Sequence, residues 1–375
     1  MGRGVASREA YRAATTRHVP ERGPATASAE QHVRKTGKLN PLVDPSGYGV
    51  IRASRPRFEQ RSDGLWEMTV GTPVPIETRI DTTGSMGNSI DTILKAMNGV
   101  YELYSDVLPG CDPQIATGIF GDVSDPFVLC RPQFEMLADR IVEQLTLMVP
   151  YRDGGDFEED PHYGLFGAAY LTAAYLHRIG LKSYDFTVTD ASARDRLDER
   201  TLKRIFGDDV FAKVAENGHR ISPSELPSTK DVVQSLLMRA HAFVLQVSDD
   251  SQTTSFWTRI FGRNRVVALS KSKYVPHVQA VIMGLTEGTL DLNGVIGFLK
   301  RHNVSGADAE SIVRSVSNIP ISAQAALPNF GKRPKQGDLF RNKTDLWPIP
   351  PEEVARLGLD GATDEPSDGA KTDWL

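Results

Sequence analysis

Cysteine is scarce, with Cys111 and Cys130 the two in a chain of 375 residues. Neither lies in a CxxC or Cys/His cluster, so a disulfide scaffold is excluded and two free, packed thiols are expected. Long apolar runs are missing as well. Nothing approaches the roughly 20 residues that a membrane-spanning helix needs, and the opening stretch MGRGVASREAYRAATTRHVPERG has no apolar core of the kind a signal peptide carries. A soluble protein of the cytoplasm, with no membrane partner, is the expectation. The eight histidines form no HxH or HExxH pattern, and no Walker A loop, GxGxxG or GxSxG is present. Zinc, nucleotide and activated-serine chemistry therefore have no recognisable motif here. Nor is there an excess of one charge: 43 Lys+Arg against 48 Asp+Glu give a net −5. That balance speaks against an electrostatic nucleic-acid binder and against global disorder.

The charge that is present is unevenly placed. Residues 1–39 hold eight basic and three acidic side chains, whereas residues 343–375 hold three basic and eight acidic ones. Two polar ends of opposite sign thus flank a mildly acidic body large enough for one substantial domain. Residues 1–45 lack apolar periodicity and read as a disordered basic arm. Residues 46–71 contain two short apolar runs, GYGVIRA and LWEMTV, separated by a polar stretch with Asp63-Gly64, which reads as an edge hairpin.

From residue 72 to 287 strand and helix signals alternate. Strands are expected at PVPIETRI (73–80), QIATGIF (114–120), FVLC (127–130), KSYDFTVTD (182–190), AFVLQV (242–247) and RVVAL (265–269). Between them lie helical spacings at 90–107, 134–148, 161–179, 198–217, 229–241 and 275–286, the third with Asp160 as N-cap and Pro161 at its first position. This alternation predicts a doubly wound α/β domain, a mostly parallel sheet with helices on both faces. A helical appendage is expected over 288–320, and a Pro-, Gly- and Asp-rich extended tail over 321–375.

Ligands of open α/β sheets bind beyond the carboxyl ends of the strands. The first strand runs there into Asp81-Thr82-Thr83-Gly84-Ser85-Met86-Gly87, so that Asp81, Thr83 and Ser85 sit at alternate positions on a glycine-containing turn. A second loop, YRDGGDFEED (151–160), offers Asp156, and the strand ending at Thr189 runs straight into Asp190. Carboxylate and hydroxyl oxygens suit a hard divalent cation, Mg²⁺ first and Mn²⁺ as the alternative. Glu158, Glu159 and Asp160 read as a solvated, helix-capping face.

At these residues the sequence resembles the von Willebrand factor A-type (vWA) domain with its metal-ion-dependent adhesion site. The loop DTTGSM has Thr83 where that family usually has serine, a variant similar to the vWA-like domains of alpha-kinase-type proteins, in which the second loop often reads Gly-Gly-Asp as in GGDFEEDP. The resemblance implies a metal site of Asp81, Thr83, Ser85, Asp156 and Asp190, with Asp122 of IFGDVSD in the surrounding shell. It further implies a non-enzymatic module that binds another protein at the metal face, an adaptor or scaffold such as those serving AAA+ ATPases or bacterial stress and conflict systems. The alternative is a metal-dependent hydrolase or phosphotransfer enzyme using the same acids, with Asp122 or Asp125 as base. Two further interaction candidates are an aromatic and basic run from Phe256 to Lys271, read mainly as a helix burying Phe256 and Ile260, and Gln336-Gly337-Asp338-Leu339-Phe340, which looks like a peptide that docks on the DNA-polymerase sliding clamp.

Overall fold

The central sheet has six strands, β1 (Thr72–Asp81), β2 (Cys111–Phe120), β3 (Leu129–Cys130), β4 (Ser183–Thr189), β5 (Ala240–Gln246) and β6 (Val266–Ala268), in the order β6-β5-β4-β1-β2-β3. The structure is a computed structural model and describes residues 27–53, 56–152 and 158–357. All neighbours pair in parallel except β3, which runs antiparallel beside β2 at the edge. This is the doubly wound α/β architecture expected from the alternation of strand and helix signals. The central strands are buried on both faces, and the two faces differ in chemistry. Ile76, Ile80, Tyr184, Phe186, Phe243 and Leu245 point into an apolar layer under the helices Ser89–Met97, Val100–Val107 and Val275–Glu287.

The opposite face of β1 and β4 carries Glu77, Arg79, Asp185 and Thr187, all buried. Arg79 is fully enclosed and binds Asp185 through both terminal nitrogens, one at 3.0 Å, with Glu77 Oε1 at 3.2 Å. Arg131 closes the group by donating to both Glu77 oxygens at 2.8 and 2.9 Å and to Thr172 Oγ1 at 2.6 Å. Two cations and two carboxylates thus make a neutral quartet between the sheet and the helix Pro161–Tyr170. That helix is buried on all sides, and Gly164 and Gly167 give it room: a Cβ on Gly164 would lie 2.4 Å from Arg79 Cδ.

Several expectations change. The single helix over 90–107 is two, Ser89–Met97 and Val100–Val107, separated at Asn98-Gly99. The expected helix over 161–179 ends at Tyr170, and Thr172–Ala173 then pair in parallel with Ile51–Arg52. The hairpin Phe58–Gln60/Trp66–Met68, turning at Gly64, does not join the edge of the main sheet, because Leu339–Phe340 pairs with Trp66–Met68 to make a separate three-stranded sheet. The last part of the expected disordered arm contains the helix Ala27–Thr36, while residues 1–26 lie outside the described residues. The tail is likewise not extended through 321–357. Leu339 and Phe340 are buried, so the peptide that looks like a sliding-clamp ligand has its apolar pair committed to this chain's own packing. Asp160 stands at the N-cap position of Pro161–Tyr170 without capping it.

Gln324, another tail residue, is fully buried. It donates to Lys182 O at 2.8 Å and its Oε1 lies 2.9 Å from His241 Nε2 on β5. Burial pushes the His241 imidazole down to about 4 from 6.5, the Gln324 bond opposing and the charges of Lys182 and Arg265 assisting. A histidine with a folded-state pKa below its unfolded value weakens the fold as pH drops between the two, since the unfolded chain takes up the proton first. Between pH 7 and 5 this group removes on the order of 2 kcal/mol. Denaturant unfolding of His241→Gln should therefore show a smaller loss over that interval than the parent chain, and parallel losses would contradict this account.

Candidate functional site

β1 delivers Asp81 to the carboxyl edge of the sheet, and the chain then turns through a short 3-10 segment, Gly84–Met86, closed by Gly87 at φ 47°. Asp81 is fully buried. Its Oδ1 accepts from the Thr83 backbone N–H at 2.9 Å and the Thr83 hydroxyl at 2.8 Å, and its Oδ2 accepts from the Thr189 hydroxyl at 2.6 Å. Thr83 Oγ1 lies 3.3 Å from Ser85 Oγ, which donates to Asp190 Oδ1 at 2.9 Å. Asp81, Thr83, Ser85 and Asp190 therefore form one continuous chain of oxygens, buried at Asp81 and open to solvent at Ser85. Burial raises the Asp81 carboxyl to about 6 against the bonds from Thr189 and Thr83, and the Asp190 charge adds to the rise. Asp190 also lies above the usual carboxylate range because of burial, with the Ser85 hydroxyl pulling the other way.

Two contacts fix the Asp190 loop from behind. Trp257 Nε1 donates to Ala191 O at 2.8 Å, and Ser248 Oγ donates to Asp190 O at 3.2 Å. Trp257 is completely buried on the helix Ser251–Phe261 and serves the site as a brace; that helix buries Trp257 and Phe261, whereas Phe256 and Ile260, expected to be its buried pair, are only partly covered. A phenylalanine at 257 keeps an aromatic ring in the layer but gives up the pyrrole part of the indole and its one buried hydrogen bond. We expect Trp257→Phe to lower stability by about 1–3 kcal/mol in denaturant unfolding, since Ala191 O is left without that donor.

Asp156 lies outside the described residues, and the ends of its loop are placed on either side. Arg152 donates its backbone N–H to Thr82 O at 3.1 Å and its guanidinium to Asp91 at 2.6 Å. On the far side Glu158–Glu159 pairs in parallel with Ser192–Ala193, joining the second loop to the Asp190 loop. Here the expectation of a solvated acidic face fails. Glu158 is exposed, but Glu159 and Asp160 are buried. Glu159 Oε2 is buried with no hydrogen-bond partner, and burial together with the Asp81 charge pushes the carboxyl up to about 8, a Thr83 hydrogen bond opposing. Strand pairing turns this side chain inward, which charge density in the sequence did not convey.

Asp122 belongs to a neighbouring ion group. Arg194 bridges Asp122 Oδ2 at 2.9 Å and Asp160 Oδ2 at 2.5 Å, and Asp122 Oδ1 accepts from the Ser124 N–H at 2.7 Å. Although burial opposes it, the bonds from Ser124 and Arg194 hold the Asp122 carboxyl below its ordinary range. Asp125 accepts from the Asp122 N–H at 2.9 Å. These acids serve as anchors for the loop backbone.

Among the described residues, no three His, Cys, Asp or Glu side chains gather in a metal-binding group. The cluster consists of two carboxylates and two hydroxyls, all hard oxygen donors of the type Mg²⁺ takes. Hydrogen bonds of 2.8, 3.3 and 2.9 Å from Asp81 through Thr83 and Ser85 to Asp190 hold these donors together. Glu159 Oε2, buried without a hydrogen-bond partner and close enough to Asp81 to feel its charge, is a further hard oxygen donor beside this set. The donor set therefore fits a hard divalent cation.

Strand order and site together define the class: a Rossmann-like, doubly wound α/β domain with an acid-and-hydroxyl loop at the carboxyl end of its central strand. No family model and no curated protein matches the sequence. Among solved structures, the chain is similar to the pilus adhesin SpaC from Lactobacillus rhamnosus GG, at 10% identity and TM-score 0.39 over 62% of this chain and 34% of that one. It is also similar to the vWF domain of the type V pili tip protein Mfa5 from Porphyromonas gingivalis, at 11% identity and TM-score 0.38 over 57% and 95%. A von Willebrand factor type A structure from Catenulispora acidiphila shares 13% identity at TM-score 0.32, over 59% and 44%. The match thus spans about a third of the SpaC chain.

Proposed function

We propose that this chain is a vWA-type interaction module that holds a divalent cation, Mg²⁺ in the first place, at the loop face and engages another protein there. The observation that carries the reading is the connected oxygen set Asp81–Thr83–Ser85–Asp190, anchored inside at Asp81 and reaching solvent at Ser85. A bound cation supplies an electrophilic centre that an oxygen of the partner can complete. The chain's own residues do the rest. Asp81 is locked by three hydrogen bonds, Thr83 and Ser85 present hydroxyls at fixed spacing, and the Trp257 and Ser248 contacts hold the Asp190 loop in place.

The module works as an adaptor or scaffold rather than an enzyme in this reading. Asp122 and Asp125, the bases a hydrolase would need, are tied to Arg194 and to the loop backbone. Activity in the cytoplasm, in the manner of AAA+ adaptors or stress and conflict systems, belongs to the same proposal. It is supported by Cys111 and Cys130, which are both free thiols. Among the described residues no helix is long and apolar enough to cross a membrane.

Affinity capture with the full chain tests the proposal. A partner retained in Mg²⁺ should be lost both in chelator and with Asp81→Ala. A partner retained under both conditions would move the interaction away from this face.

A further inference from the structure

A second concentration of charge, of the opposite sign, lies at the other pole of the sheet. Lys182 immediately precedes β4 and Arg239 immediately precedes β5, and these strands are adjacent, with Ser183 opposite Ala240. Both cations face a cavity of about 550 Å³, which Arg52, Arg178 and Lys343 also line, while Asp345 is the acid on its wall among the described residues. Arg52 is offset by Glu216 at 2.7 Å, and Lys343 lies over the Trp66 ring at 3.9 Å. Among the described residues the two central cations have backbone partners only: Lys182 Nζ donates to Leu237 O at 2.6 Å, and Arg239 Nη1 approaches Thr172 O at 3.5 Å. Burial lowers both below their ordinary values, and the Arg265 charge pushes Lys182 further down. His177, also on the wall, is held near 4 by burial and by the Arg239 charge, so it adds no charge at neutral pH.

The floor has a different character. Ala174, Tyr175 and Leu181 are buried beneath the cavity, and Met238, 77% exposed, stands at its mouth. An apolar floor under a rim of guanidinium and ammonium groups suits a molecule that is part apolar and part dianionic. A fork of guanidinium nitrogens matches phosphate oxygens in geometry, and several cations around one anion favour a double charge over a single one. We propose that this cavity is a second ligand site, taking a small organic phosphate monoester whose phosphate sits between Lys182, Arg239 and Arg178 and whose apolar part lies on Tyr175 and Leu181.

This site is independent of the loop face, since the two lie at opposite ends of the same strands. Calorimetric titration of phenyl phosphate into the full chain, in chelator so that no metal complex contributes, tests it directly. Saturable binding with one site per chain is expected, weakening as salt rises, with inorganic phosphate binding more weakly and phenol not at all. Arg239→Gln and Lys182→Gln should each reduce affinity by about tenfold or more. Arg178→Glu changes an exposed side chain, leaves the fold alone and should reduce affinity similarly. Absence of binding at millimolar phenyl phosphate would overturn the proposal. So would affinity that Arg178→Glu and Arg239→Gln leave unchanged, or phenol binding as well as its phosphate ester.

Discussion

Arg79→Met should lower the stability of the chain by about 3–5 kcal/mol, the range for removing one partner of a buried ion pair. The parent quartet balances Arg79 and Arg131 against Glu77 and Asp185 in a buried layer. Removing one cation leaves a net negative charge beneath the helix Pro161–Tyr170, and Asp185 loses both of its guanidinium bonds. The methionine fills much of the vacated volume, so the loss measures charge rather than a cavity. Adding Asp185→Leu restores neutrality and leaves the Glu77–Arg131 pair intact, so the double variant should regain most of the loss. Chemical denaturation of the parent, Arg79→Met, Asp185→Leu and the double variant, read as a double-mutant cycle, decides the matter. Equal losses in the single and double variants would mean that shape, not charge, governs this layer.

Asp81→Ala should weaken Mg²⁺ binding by about 100-fold or more, at or beyond the upper end of what loss of an outer-shell group costs a metal site. Asp81 anchors the buried end of the oxygen set, accepting from Thr83 twice and from Thr189 once, so its removal takes away a charge and releases the hydroxyls it orients. Asp81→Asn keeps the shape and one acceptor oxygen but loses the charge, which separates the two contributions. Ser85→Ala removes one neutral donor at the exposed end and should cost less than either. Calorimetric titration of Mg²⁺ and Mn²⁺ into the parent and the three variants gives the order directly. Identical heats in the parent and Asp81→Ala would remove the metal from this face and with it the proposed function.

These two experiments probe the same strand at adjacent turns of its pleat. Glu77, Arg79 and Asp81 occupy alternate positions of β1 and point to one face, where the sequence PVPIETRID shows only a strand with polar residues among apolar ones. A strand of a parallel sheet covered on both sides is usually read from continuous apolar character. Here one face is apolar and the other polar yet buried, because Arg131, Asp185 and a glycine-bearing helix supply partners and space. None of those partners is near β1 in sequence, which explains why the quartet could not be read from the chain.

Much else could be. Strands at 73–80, 114–120, 182–190 and 242–247, each bounded by helical spacing, fixed the architecture, since short alternating units leave a parallel sheet as the compact arrangement. The loop DTTGSM directly after the first strand marked the position of Asp81, Thr83 and Ser85, and the strand ending in Thr189 marked Asp190. Local chemistry and element order sufficed for these because strand ends necessarily converge on one edge of the sheet. Tertiary structure alone decided the rest. It turned Glu159 inward through pairing with Ser192–Ala193, tied Asp122 to Asp160 through Arg194, and consumed Leu339 and Phe340 in a sheet with the hairpin. It also brought Lys182 and Arg239, 57 residues apart, to one cavity, because parallel strands must begin at the same pole. Charge and hydropathy along the chain report what each residue prefers. Which preference is met depends on partners that only the folded sheet brings into contact.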